Sequence, residues 1–69
     1  MPRPIRVMLS GGPDGSPLTW GVESLEDEKR VTVPHRNGYE HFEFADHYAK
    51  FSGEWLPVYR WIYRTYIAE

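Results

Sequence analysis

His35 and Glu40 flank the dipeptide Asn37-Gly38. If that dipeptide forms a two-residue hairpin turn, the two side chains face each other across paired strands. An imidazole beside a carboxylate is an elementary general acid–base pair, because the carboxylate raises the histidine pKa and fixes its tautomer. The plainer reading is a cross-strand ion pair next to an exposed turn, worth ~0.2–1 kcal/mol. Two residues beside a turn bring neither a pocket nor a nucleophile, so the ion pair is expected. His41 and Glu43 alternate along the following stretch and point to one side. With His35 or His47 they would make a two-histidine, one-carboxylate metal site. The hairpin, however, puts His35 on the face opposite His41, and His47 lies four residues beyond Glu43. No metal site and no cofactor are expected.

Arg60 and Arg64 are expected on the face of His41 and Glu43, with Glu43 diagonally between them. Exposed pairs of this kind contribute ~0–1 kcal/mol and are ordinary occupants of a solvated sheet face. The functional alternative is a surface for single-stranded nucleic acid, on which Tyr39, Tyr59 and Tyr66 stack bases and the arginines hold phosphates. Against it, Glu40, Glu43, Glu54 and Glu69 lie near by and oppose a polyanion. The run Gly11-Gly12-Pro13-Asp14-Gly15 lacks the Lys-Ser/Thr pair and following helix of a phosphate-binding loop. Ser10 sits in no nucleophile-elbow motif. The residues point away from an enzyme and toward a contact surface made of Tyr59, Arg60, Ile62, Arg64 and Tyr66 with His41 and Glu43.

A very small scaffold has to hold these groups. The 69 residues make one domain, 1–69, with 41% apolar side chains and no cysteine. Disulfides, cysteine-based zinc sites and thiol chemistry are therefore excluded. A core of this size rarely supplies more than ~3–5 kcal/mol without a staple, so aromatic packing, self-association or a partner must contribute. The net charge of −2 starts general nucleic-acid and anionic-membrane binding at a discount. No apolar run approaches a membrane span, and Met1-Pro-Arg-Pro has no apolar h-region, so a soluble cytoplasmic protein without membrane contact is expected. Of the aromatic residues only Trp20 precedes Tyr39; the C-terminal half builds most of the surface.

Hydrophobic alternation predicts an all-β fold, an antiparallel meander of about four strands curled toward a half-open barrel. Ile5, Val7 and Leu9 mark a first strand, stopped by the Gly/Pro/Asp/Ser run 11–17. Residues 18–29 carry the weakest pattern and predict at most one short acidic helical turn capped at Ser24, or a polar loop. Asn37-Gly38 predicts a hairpin in which 35 faces 40, 33 faces 42 and 31 faces 44, with positive φ at both turn residues and severe damage from Gly38→Val. A second hairpin turns at Ser52-Gly53 into a long strand, 55–67. A two-residue turn there places Phe42, Phe44, Trp61 and Tyr63 on one face with Val31 and Val33, unless a bulge at Asp46-His47 intervenes. That last strand is apolar on both faces, so both must be covered, by the N-terminal strand or by a second copy. The poor pattern of 18–29 favours the second copy, a two-fold dimer centred on Ile62 and Tyr66 with Arg60 and Arg64 at its rim.

The segments Gly11-Gly12-Pro13, Asn37-Gly-Tyr-Glu-His-Phe-Glu, Leu56-Pro-Val-Tyr-Arg-Trp and Arg64-Thr-Tyr-Ile-Ala-Glu resemble a family of short actinobacterial proteins of unknown function. The resemblance implies no catalytic residues. It implies an actinobacterial cytoplasm and an accessory role beside specialised-metabolism or regulatory proteins. A sheet rich in Trp, Tyr and Arg has the composition of binding hot spots, so the leading expectation is a non-catalytic interaction module with a protein partner. The alternatives are a single-stranded nucleic-acid-associated regulator and a carrier of a small apolar ligand.

Overall fold

The computed structural model describes residues 4–66. Its regular elements are five strands: β1 (Ile5–Ser10), β2 (Thr19–Val22), β3 (Arg30–His35), β4 (Gly38–Phe51) and β5 (Glu54–Tyr66). They form one open sheet in the order β2-β1-β5-β4-β3. The predicted all-β meander is present as β3-β4-β5, antiparallel throughout. Two features were not predicted. Thr19–Val22 is a fifth strand, antiparallel to β1, and β1 pairs in parallel with β5, Leu9 beside Tyr59. The N-terminal strand therefore extends the sheet along the free edge of β5 and does not close a barrel. Ile67, which belongs to the last predicted strand, lies outside the described residues.

Period-two alternation sends Val7, Leu9, Val22, Val31, Val33, Phe42 and Tyr59 to one face, where they form the core. That inner face is capped by the crossover from β2 to β3. Tyr59 donates its hydroxyl hydrogen to the Glu28 carbonyl at 2.5 Å, and Leu25 packs on the core, while the Phe44 amide, bonded to the Lys29 carbonyl, carries the β3–β4 ladder one pair further. Within the crossover the Glu28 amide bonds to the Ser24 carbonyl at 2.9 Å, and the Asp27 amide approaches Ser24 Oγ at 3.4 Å. This is the single acidic turn begun by Ser24 that the sequence suggested. It covers more than expected, and Tyr59 is a core residue here, not part of an exposed contact surface.

The run 56–59 is buried at every position. Leu56 and Val58 alternate away from Tyr59 onto the outer face, where the Arg6 guanidinium lies 5.6 Å from the Phe51 ring centroid. Two-sided burial of β5 is thus real in this half of the strand, and one chain provides it.

Both hairpins exist, with one shifted. Ser52 and Gly53 have φ of 48° and 85° and join Phe51 to Glu54, as the turn chemistry predicts. In the other hairpin His35 pairs with Gly38, so Arg36 and Asn37 form the turn and Arg36 takes the positive φ of 58°. Val31 then faces Phe42, and Val33 faces Glu40. The faces survive because the register changes by an even number of residues. Gly38 is glycine for clearance, not for φ. It lies between His35 on β3 and Tyr66 on β5, and a Cβ there would overlap the Thr65 carbonyl oxygen and press on the Arg64 guanidinium.

Two irregularities finish the register of β4 with β5. Around Asp46, which has φ of 60°, β4 carries extra residues between the Phe44–Tyr59 and Tyr48–Pro57 pairs. Between the Phe42–Trp61 and His41–Tyr63 pairs, Ile62 is the extra residue on β5. The first irregularity preserves the faces of Phe42 and Phe44. The second inverts everything beyond it, so Tyr63 joins the outer face and Arg64 the inner.

These placements separate two substitutions of neighbouring residues. Gly38→Ala should lower stability by about 1–3 kcal/mol through overpacking. Arg36→Gly, which relieves a left-handed non-glycine residue, should stay within about 1 kcal/mol of wild type. Urea unfolding of both variants checks this; a Gly38→Ala protein as stable as wild type would contradict the close approach of β4 and β5.

Candidate functional site

At the end of the inner face, a carboxylate is buried among donors. Glu40 is fully buried, directly opposite Val33. Its Oε1 accepts a hydrogen bond from Trp61 Nε1 at 2.9 Å. Its Oε2 accepts from Arg64 Nη1 and from His35 Nδ1, the latter at 3.0 Å. An ionised carboxylate only accepts, so the hydrogen of the His35 contact sits on Nδ1. Arg64 Nη1 also lies 3.4 Å from that nitrogen; both carry hydrogens, and both are drawn by the same oxygen. Arg64 Nη2 continues to the His35 carbonyl at 3.1 Å. One guanidinium thereby ties β5 to β3 across β4, over the space that Gly38 leaves open.

Burial alone would push the Glu40 carboxyl up, but the Trp61, His35 and Arg64 donors together with the Arg64 charge outweigh it and hold it below the usual carboxylate range. A general base works best with a pKa near the operating pH. A carboxylate held low, closed off from solvent and saturated with donors makes a poor one. The His35–Glu40 contact expected from the hairpin is therefore present, but as part of a four-residue structural lock. Arg64, expected on the exposed face with Glu43, belongs to this lock instead because the Ile62 bulge turns it inward. Tyr66 stays on the same side, 75% exposed, with the Arg64 guanidinium 5.1 Å from its ring centroid.

The outer face of β3, β4 and β5 gathers the rest. Glu43 bonds to Arg60 at 2.8 Å and lies 3.8 Å from Arg30. In the next row Thr32, His41 and Tyr63 stand side by side. The His41 and Tyr63 rings stack at 4.4 Å with planes 13° apart, and the His41 nitrogens reach Thr65 Oγ1 at 2.8 Å and Thr32 Oγ1 at 3.4 Å. Tyr39 closes the strip between Pro34 and Thr65. His47 is apart from this group, near the Ala45 carbonyl. Among the described residues, no three His, Asp or Glu side chains stand together as a metal site. Of the seven residues expected to form one surface, His41, Glu43 and Arg60 meet here, Ile62 is the half-buried bulge residue beside them, and Tyr59, Arg64 and Tyr66 belong to the inner side. Tyr63 is the surface residue that sequence reasoning missed, since an unbulged strand would have buried it.

A family model described as a family of unknown function, DUF5988, matches residues 1–69. The chain belongs to that family. No curated protein and no solved structure matches it.

The Glu40 lock makes acid stability informative. A carboxyl whose pKa is lowered on folding adds stability that is fully present above its unfolded value, ~4.3, and is lost as pH falls through the folded value. The urea midpoint of the wild type should therefore drop below about pH 4.3, and the drop should shrink in Glu40→Gln. At neutral pH, Trp61→Phe should cost about 1.5–3 kcal/mol for the lost hydrogen bond to a charged group. Identical pH profiles of wild type and Glu40→Gln would refute the lock.

Proposed function

We propose that the protein is a non-catalytic interaction module whose first partner is a second copy of itself, engaged through the outer face of β3, β4 and β5. The observation that carries this reading is the composition of that face. Tyr63 remains 44% exposed at its centre and Tyr39 38% exposed at its end, and Arg30, Glu43 and Arg60 place both signs of charge in the row beside Tyr63. Aromatic side chains flanked by arginine are the common currency of binding hot spots. A patch carrying both signs is complementary to itself when a two-fold axis reverses it, which lets Arg60 of one copy approach Glu43 of the other. The centre of the contact moves from Ile62 and Tyr66, which the bulge separates onto different sides, to Tyr63, His41 and Tyr39. The need for a second copy to cover the core no longer enters, because the 23–29 crossover covers it.

Single-stranded nucleic acid is the competing occupant. It needs free arginines and free ring faces; Glu43 engages both arginines, and His41 and Tyr63 spend one ring face on each other.

Light scattering across a dilution series should show a mass near twice 8.1 kDa at high concentration that falls on dilution. Tyr63→Asp should remain at the single-chain mass with an unchanged far-UV spectrum. A labelled oligothymidylate should show no salt-dependent binding. A wild type that stays monomeric at high concentration would remove the self-association reading, and tight oligothymidylate binding lost in Arg60→Ala would replace it.

A further inference from the structure

β5 is paired with β4 from Glu54 to Tyr66, but on its other side β1 covers only three residues, Val58 to Arg60. β1 ends at Ser10, and from Gly11, which stands beside Trp61, the chain leaves in the glycine-rich loop to β2. Beyond Trp61, β5 therefore has an edge with no neighbouring strand among the described residues.

Ladder parity assigns the backbone groups on that edge. In an antiparallel pair, successive residues turn their N–H and C=O alternately to one neighbouring strand and to the other. The Phe44 amide bonds to the Lys29 carbonyl, so Phe44 is turned toward β3. Phe42, Glu40 and Gly38 share its parity, and the β3–β4 register is unbroken, so these three are turned to β3 as well. Arg64 opposite Glu40 and Tyr66 opposite Gly38 are then turned away from β4, to the open edge. Thr65 between them must face β4, and its carbonyl is indeed the group that crowds Gly38. The backbone N–H and C=O of Arg64 and Tyr66 have no protein partner among the described residues.

The two outer edges of the sheet are blunted. On β3 the residues turned outward are Arg30, Thr32 and Pro34, and proline has no N–H to offer. β2 is only four residues long, and short or proline-bearing edges resist strand addition. The stretch Ile62–Tyr66 has neither proline nor lysine, and its one arginine is drawn inward to Glu40. Alternating free donors and acceptors match another extended backbone; a helix has its own groups already paired.

We propose that the edge of β5 at Arg64 and Tyr66 binds an extended segment of a partner protein as an added antiparallel strand. Partner side chains opposite Arg64 and Tyr66 lie on the inner side, where the Tyr66 ring is exposed and favours a β-branched or aromatic neighbour. The side chain opposite Thr65 lies on the outer side, where threonine pairs well with threonine. The partner has another sequence, because a second copy on this edge as well as on the outer face would join dimers into an open chain.

The test is a titration of the isotope-labelled full chain with the peptide acetyl-Thr-Val-Thr-Val-Thr-amide, followed by amide chemical shifts and hydrogen exchange. Shifts should saturate at Arg64, Thr65 and Tyr66, and exchange of the Arg64 and Tyr66 amides should slow. The same peptide with both valine nitrogens methylated lacks the donors of the added strand and should bind at least tenfold more weakly. Tyr66→Pro removes a donor from the edge but no bond to β4, so it should keep the wild-type far-UV spectrum and weaken the peptide at least tenfold. If Tyr66→Pro does not fold, the methylated peptide decides alone on the wild type. Tyr63→Asp should still bind the peptide, which separates this edge from the outer face. Shifts that do not saturate, equal binding of the methylated peptide, or full binding by a folded Tyr66→Pro would overturn the proposal. So would self-association that Tyr66→Pro abolishes and Tyr63→Asp leaves in place, since the edge would then belong to a second copy.

Discussion

Placing the Glu40 carboxylate beneath the sheet is the constraint to which the C-terminal half of the fold answers. A buried carboxylate is tolerated only when its charge is paired and its lone pairs are occupied. Here three donors meet it, from β3 (His35) and from two positions on β5 (Trp61 and Arg64). An uninterrupted strand would send Trp61 and Arg64 to opposite faces, because they are three residues apart. The Ile62 bulge brings both to one carboxylate. Gly38 must be glycine because a Cβ would overlap the Thr65 carbonyl oxygen, and the space it leaves also lets the guanidinium cross β4 to the His35 carbonyl. A bulge and a glycine thus meet at one ionic group. Breaking such a pair by removing one partner typically costs about 3–5 kcal/mol, comparable to the whole stability a core of this size supplies.

The same constraint arranges the opposite side of the sheet. The bulge that turns Arg64 inward turns Tyr63 outward, onto His41, and so makes the aromatic strip of the outer face. The buried lock and the outer aromatic strip are two results of a single extra residue. The glycine-rich loop and the acidic crossover complete the inner side from its two ends. The loop leans on Phe42 and His35, and the crossover receives the Tyr59 hydroxyl. Burial raises the Tyr59 pKa, with Glu28 and Tyr48 adding to the effect, so that hydroxyl remains a donor through the neutral range.

Alternation and turn chemistry made the β class, Val7, Leu9, Val31, Val33, Phe42 and the Ser52-Gly53 turn legible in the sequence. They did so because each depends on residues close in the chain. The register error at Asn37-Gly38 has a non-local cause: the preferred dipeptide competes with contacts that β4 makes to β5, and those contacts win. Glu40 shares its parity with Phe42 and Phe44, so a carboxylate within an apolar row was visible, with His35 across from it. Its partners were not, since neither the Ile62 bulge nor the parallel docking of β1 leaves a local mark. Thr19–Val22 is too short to show a period and gains its strand identity from pairing with β1.

Net charge also reads differently once the residues are placed. The excess of two negative charges argued against a polyanionic partner as though every carboxylate were on display. Glu40 is not; Arg64 neutralises it out of reach of solvent. Glu23, Glu26, Asp27 and Glu28 are collected in the crossover from β2 to β3, whose Glu28 carbonyl and Leu25 meet the inner side of the sheet. With those removed from consideration, the face of Arg30 and Arg60 is not an acidic surface at all, and overall charge says little about what it attracts. Glu43 decides the matter locally. It sits between the two arginines, within 4 Å of each, and a phosphate approaching either one must displace a carboxylate already in place. A protein surface that presents its own acidic and basic groups meets no such competition, because each arginine can exchange one carboxylate for another without leaving either charge unpaired.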